Sequence, residues 1–251
     1  MAGLLAKDYR KGDEMRVMIS RVDSRTTNFS YNYYDLGFER APRTPEEFYA
    51  STTKQFGETL RSEVWGYSPY TVWLNPSDVP NCLVVAYDVP YEAAVMNRLN
   101  IVADQNFEYK LMIDDLPSAT VYRRDEKGTT NSHGLPQIEY DYGIPVAHKV
   151  IKPSGPISNE LMLMNHLQLT VETHTTDNGA IRIVGFEVEA MSIDWGDKPC
   201  RKPKDGLDVQ LYGPDKEVSY TYQVVFKKSD LLWAHRFDHY AKLGNDRVHH
   251  L

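Results

Sequence analysis

The residues best equipped for chemistry sit in four short stretches. "HRFDH" sets His235 and His239 at i and i+4, the spacing that puts two imidazoles on one helical face. A metal site needs a third ligand, and a zinc protease also needs a general-base Glu. Arg236 and Phe237 occupy the middle instead, so the pair reads as two exposed histidines. "IEYDYGIP" offers Glu139 and Asp141, two carboxylates at strand spacing. Glycosidases use such pairs at a fixed separation across a cleft, whereas two acids beside a turn read as solvated. Cys82 and Cys200 fit no metal spacing and leave open either one disulfide or two buried thiols. Asn28 in "NFS" is a permitted acceptor for an N-linked glycan, while Pro76 blocks "NPS" at Asn75. Neither a glycine-rich phosphate loop nor a Gly-x-Ser-x-Gly turn is present. The reading is of a chain with no catalytic residues, no metal and no cofactor.

The elements that must position these residues are mostly strands. "LMLMNHLQLTVETH" puts Leu161, Leu163, Leu167, Leu169 and Val171 on one face and His166, Gln168, Thr170 and Glu172 on the other. Asn165 is the polar exception on the apolar side. "AIRIVGFEVEAM" starts with Ile181 and Ile183 inward and then switches to Val184, Phe186 and Val188, which predicts a bulge near Gly185. "VSYTYQVVFKK" alternates from Val218 to Phe226, and "MRVMISRV" and "NFSYNYYDL" add two strands near the start. "SPYTVWL", "CLVVAYDV" and "FEYKLMID" read as further strands. Helices are few. Thr44, Pro45 and Glu47 form a capping box ahead of Phe48, Thr52, Phe56 and Leu60, and "YEAAVMNRLNIVADQ" aligns Val95, Leu99 and Val102. The predicted fold is mainly β, an antiparallel β-sandwich of jelly-roll type with one or two short helices at its edges, built as one domain over residues 1–251.

Composition agrees. Seventeen Tyr and 12% aromatic residues favour strands. The formal charge of −7 argues against a nucleic-acid or anionic-membrane partner. No run of about 18 apolar residues exists to span a bilayer. "MAGLLAKDYRKGDEM" is too short and too charged to read as a secretory signal.

Across nearly its whole length the chain resembles the luminal N-terminal domain of the nonaspanins, the transmembrane 9 superfamily. The likeness starts at "KGDEMRVMISRVDS" and continues through Tyr33, Tyr34, Leu36 and Phe38 of "YNYYDLGF". "FGETL" is followed by Ser68-Pro69-Tyr70, and "IDDLPSA" is similar to the family's Asp-Asn-Leu-Pro-x-Ala. Asn165-His166, "RIVGFEVE" and "DKPC" also match the family's pattern. "WAHRFDHY" is similar to Trp-Ala-Ser-Arg-Trp-Asp-x-Tyr, so Trp233, Ala234, Arg236, Phe237, Asp238 and Tyr240 would form a membrane-proximal signature. "RVHHL" then stands where the family enters its first membrane span. His235 and Phe237 depart from the signature, Glu39 stands where a Cys is common, and Ala86 replaces the second Cys of a Cys-x-x-x-Cys pair. The lost neighbours leave Cys82 and Cys200 without an inherited partner, and the expectation is two free thiols.

The resemblance implies a non-catalytic luminal domain of a polytopic Golgi or endosomal membrane protein that sorts and delivers other membrane proteins, with adhesion and phagocytosis as consequences. Its partners would be membrane-protein cargo or another luminal protein, together with the family's own transmembrane region. The alternative is a secreted carbohydrate-binding sandwich, with Trp65, Trp73, Tyr140 and Tyr142 as stacking platforms.

Overall fold

The computed structural model describes residues 6–37, 65–75, 82–90, 93–124, 137–141, 143–150, 161–196, 198–201, 210–212 and 216–238. The described β structure begins with β1 (Glu14–Ser20), β2 (Val22–Ser24), β3 (Ser30–Tyr31) and β4 (Trp65–Trp73). Strand β5 (Cys82–Val89) precedes helix α1 (Ala93–Asp104). Next come β6 (Phe107–Tyr109), β7 (Leu111–Ile113), β8 (Leu116–Pro117) and β9 (Ala119–Arg124). Then follow β10 (Gln137–Asp141), β11 (Ile144–Pro145), β12 (Ala147–Lys149) and β13 (Leu161–Leu163). The long strands are β14 (His166–Thr175), β15 (Ile181–Met191) and β17 (Val218–Lys228), with the short β16 (Leu211–Tyr212) between the last two.

The mainly β class holds. The largest sheet runs β10-β9-β15-β14-β17-β5, and a four-stranded sheet runs β4-β1-β7-β8. These two meet through β4 and β17. The rings of Tyr70 and Tyr222 pack edge to face at 5.3 Å, and Tyr222 Oη donates to the Thr71 carbonyl at 2.9 Å. One core thus lies between two sheets, as in a sandwich. Two smaller sheets, β11-β6-β2-β3 and β12-β13-β16, extend it. Helix α1 buries Leu99, Val102 and Ala103 and packs beside β12. The helix expected from Thr44 to Leu60 lies outside the described residues.

The bulge appears at the expected place. Glu172 pairs with Gly185 and Thr173 with Ile183, so Val184 is the extra residue; Ile183, Val184, Phe186 and Val188 are buried and Ile181 is partly buried against the core. A Cβ on Gly185 would lie 2.9 Å from Glu172 Oε2, and glycine removes that collision. Other expectations need correction. Most of "NFSYNYYDL" is not strand: Asn32 caps a short 3-10 turn, Tyr33–Leu36, by accepting from the Tyr34 amide at 3.1 Å. The "LMLMNHLQLTVETH" strand breaks at Met164 and Asn165 into β13 and β14. The sheet centre is also not purely antiparallel, since β14 runs parallel to β17 and β15 parallel to β9. That position explains why His166 and Thr170 are buried as well as the leucines. A central strand flanked on both edges and covered on both faces loses its simple alternation.

Candidate functional site

The C-terminal signature is best understood from the turn that receives it. Asp114 and Asp115 have φ of 50° and 60° between β7 and β8, with Ile113 paired to Leu116. Two central residues at positive φ make the primed hairpin turn that fits the strand twist, and Asp is among the few residues that accept it. Asp114 then serves two donors. Its Oδ2 accepts from Arg236 Nη1 at 2.8 Å, and its Oδ1 accepts from Tyr9 Oη at 2.9 Å. Tyr9 is itself held against Ile181 of β15 by a reciprocal pair of backbone hydrogen bonds, at 2.8 and 3.0 Å. One carboxylate therefore ties both flanking segments of the described fold to the same turn.

Arg236 is only 2% exposed. Its guanidinium carbon lies 4.4 Å from the Trp233 ring centre and 5.0 Å from that of Phe237, so two aromatic faces flank the charge. At i and i+4, Trp233 and Phe237 are expected to pack onto the sandwich together while Arg236 holds a carboxylate. The carboxylate is Asp114, but Trp233 is half-buried, Phe237 is 49% exposed and the arginine is the buried member. The charge is drawn inward because its partner sits on a sheet-end turn, and the rings shield it from water. Burial pushes the Asp114 carboxyl above its usual range, against the Tyr9 hydrogen bond and the Arg236 charge, while neighbouring Asp115 pushes the same way as burial. Burial and Asp114 together push the Tyr9 phenol upward.

The other motifs are also engaged inside the fold. Asn165 Nδ2 donates to the carbonyls of Ile193 and Ser219 at 2.8 and 2.9 Å, and its Oδ1 accepts from the Ile193 amide at 2.8 Å. It thus stitches the break before β14 to the start of β17. His166 Nδ1 and Trp195 Nε1 both meet Thr221 Oγ1, at 2.7 and 3.0 Å, and burial lowers the His166 pKa to about 4. Tyr33 meets Tyr70 of "SPY" at 3.3 Å between hydroxyls and packs edge to face on Tyr109 at 5.1 Å. Burial pushes all three phenols up, Tyr70 to about 12. Tyr34 Oη donates to the Tyr67 carbonyl at 2.8 Å, and Ser68 Oγ to that of Val17 at 2.7 Å.

The two cysteines are not free. Cys82 and Cys200 form a disulfide across 118 residues, with Cα atoms 5.3 Å apart, which corrects the expectation of two thiols. The approach is built by the sheet. Cys82 pairs with Gln223 on β17, and Trp195 is anchored to Thr221 on the same strand, so the loop after Trp195 returns beside β5.

The remaining candidates do not converge. His235 is exposed and pairs with Asp238 at 3.0 Å, while His239, Tyr240, Tyr142 and Glu39 lie outside the described residues. Ala234 is exposed. Trp65 is core and Trp73 is 58% exposed, and the side chain of Tyr140 is not among those described. Asp141 joins Glu108 around Arg25, at 2.5 and 2.7 Å, and the side chain of Glu139 is likewise not described. This arginine cluster has no signature in the sequence, because Arg25 and Asp141 stand 116 residues apart. Among the described residues no three His, Cys, Asp or Glu side chains gather to hold a metal ion, and no helix is long and apolar enough to cross a membrane.

Fold and site define a β-rich domain whose motif residues are spent on internal locks. The comparisons supply the family. The chain matches Endomembrane protein 70 over residues 30–251, and it belongs to that family. It is 28% identical to Transmembrane 9 superfamily member 9 of Arabidopsis thaliana, over 99% of this chain and 39% of the relative. Identity is 26% with member 3 of Saccharomyces cerevisiae, over 94% of this chain and 32% of the relative. Human member 4 is 23% identical, over 98% and 39%. The chain thus spans roughly two fifths or less of the length of these relatives.

Proposed function

We propose that this chain is a non-catalytic luminal domain of a polytopic membrane protein of the Golgi and endosomes, and that it takes part in sorting and delivering other membrane proteins, with adhesion and phagocytosis downstream. The observation that supports this most is the buried Arg236–Asp114 lock, which fixes the C-terminal segment of the described fold on the sandwich. A rigid exit suits a domain held above a membrane region, and membrane-spanning relatives carry more than half of their length outside the matched portion. The disulfide supports a luminal setting, because such bonds persist in oxidising compartments. The cargo would be a membrane protein or another luminal protein that meets the sheet edges or exposed loops.

The test is replacement. The chain is put in place of the matched segment of yeast member 3, and surface delivery of membrane proteins is read by biotinylation in cells otherwise lacking that relative. Delivery restored toward the level of the intact relative supports the proposal. A chimera of equal abundance in the same membranes that leaves delivery at the level of the deletion overturns it.

A further inference from the structure

The loop between β2 and β3 is a built platform with an unused acceptor at its tip. Ser24 Oγ accepts from the amides of Thr26 and Thr27 at 3.1 and 3.0 Å and donates to the Gln105 carbonyl just past α1 at 2.8 Å. Arg25 anchors the same loop from its other side through Glu108 and Asp141. Gly143 makes room for this: a Cβ there would overlap the Glu108 carboxyl, at 1.9 Å from its Cδ. The loop is therefore held at both flanks, and it presents Asn28 and Phe29 outward, with Phe29 69% exposed. Asn28 makes no side-chain hydrogen bond to a described residue, and Ser30 begins β3, the last strand of its sheet among the described residues.

We propose that Asn28 carries an N-linked glycan that shields Phe29 and the outer edge of β3. The inference rests on the luminal reading, which the disulfide supports independently of the acceptor. Asn28-Phe29-Ser30 has the required Asn-x-Ser pattern without proline at the middle position. In the reaction, Asn28 Nδ2 attacks the anomeric carbon of a polyprenyl-diphosphate-linked oligosaccharide. The new C–N bond replaces the C–O bond to the diphosphate, the amide gives up one proton, and polyprenyl diphosphate leaves. An aromatic residue this exposed next to a sheet edge invites edge-to-edge pairing, and a bulky hydrophilic group there blocks it.

The experiment expresses the full-length protein in eukaryotic cells and treats it with peptide:N-glycosidase. The expected result is one glycan step in mobility, absent in Asn28→Gln and in Ser30→Ala but retained in Ser30→Thr, with Asn28 converted to Asp in the released peptide. Protease protection in sealed microsomes is read on the same samples. A protected, disulfide-bonded domain with no glycan at Asn28 overturns the inference and leaves the luminal reading standing. A domain digested from the cytoplasmic side overturns both.

Discussion

Two arginines in this chain grip carboxylates at nearly the same distance. Arg236 reaches Asp114 at 2.8 Å, with side chains 2% and 9% exposed. Arg25 reaches Glu108 at 2.7 Å and Asp141 at 2.5 Å, but 42% of its side chain meets solvent. Geometry alone would rank the second cluster higher, since it has two ion pairs rather than one. Environment reverses the order. Water already solvates Arg25, so losing its partners costs little, whereas among the described residues Arg236 meets Asp114, a distant carbonyl and two aromatic faces. The lesson is that a lock is defined by what happens when one half is removed.

The largest effect is therefore expected at Arg236. Arg236→Ala leaves the Asp114 carboxylate buried without its cation and should cost about 3–5 kcal/mol of stability. Denaturant midpoints of the purified chain check this, and the loss should persist at high salt because the pair is shielded from screening. The next effect is pH dependence from His166, whose folded pKa is lowered to about 4 by burial. Between about pH 6.5 and 4 the unfolded chain takes up a proton that the folded chain refuses, so stability falls as pH falls through that window. The full loss is about 3 kcal/mol for a shift of this size. Asp114 contributes with the opposite sign, because its raised carboxyl binds a proton more readily in the folded chain. His166→Gln should therefore flatten the acid slope, and an unchanged slope would assign it elsewhere. Arg25→Ala is the smallest, at about 1 kcal/mol or less, and the difference should shrink as salt is added. A loss there equal to that at Arg236 would erase the contrast between the two clusters.

The strands were readable wherever one face meets the core and the other meets water. Gly185 is the clearest case, since a change of inward phase within eleven residues demands a bulge. Helix α1 was readable from Leu99 and Val102 for the same reason. What was hidden depends on contacts between distant segments. The burial of His166 and Thr221 comes from cover on the second face of the sheet, and periodicity does not encode that cover. The Cys82–Cys200 bond required knowing that Trp195 is anchored beside β5, which only the sheet order supplies. The signature Trp233–Asp238 and the stretch "IDDLPSA" are each visible in the sequence, but nothing local links Arg236 to Asp114, 122 residues upstream. Aromatic residues beside an arginine suggest core, and here the core member is the charge.

The most direct test of the lock is a double-mutant cycle on Arg236→Ala and Asp114→Asn, with Asn chosen because it also accepts the positive φ of that turn. Unfolding free energies of the four proteins yield the coupling between the two side chains. A value of about 2–3 kcal/mol is predicted, at the upper end for residues in one buried ion pair. Single effects that add within about 0.3 kcal/mol would contradict the account, and would mean that the C-terminal signature is held by something other than Asp114.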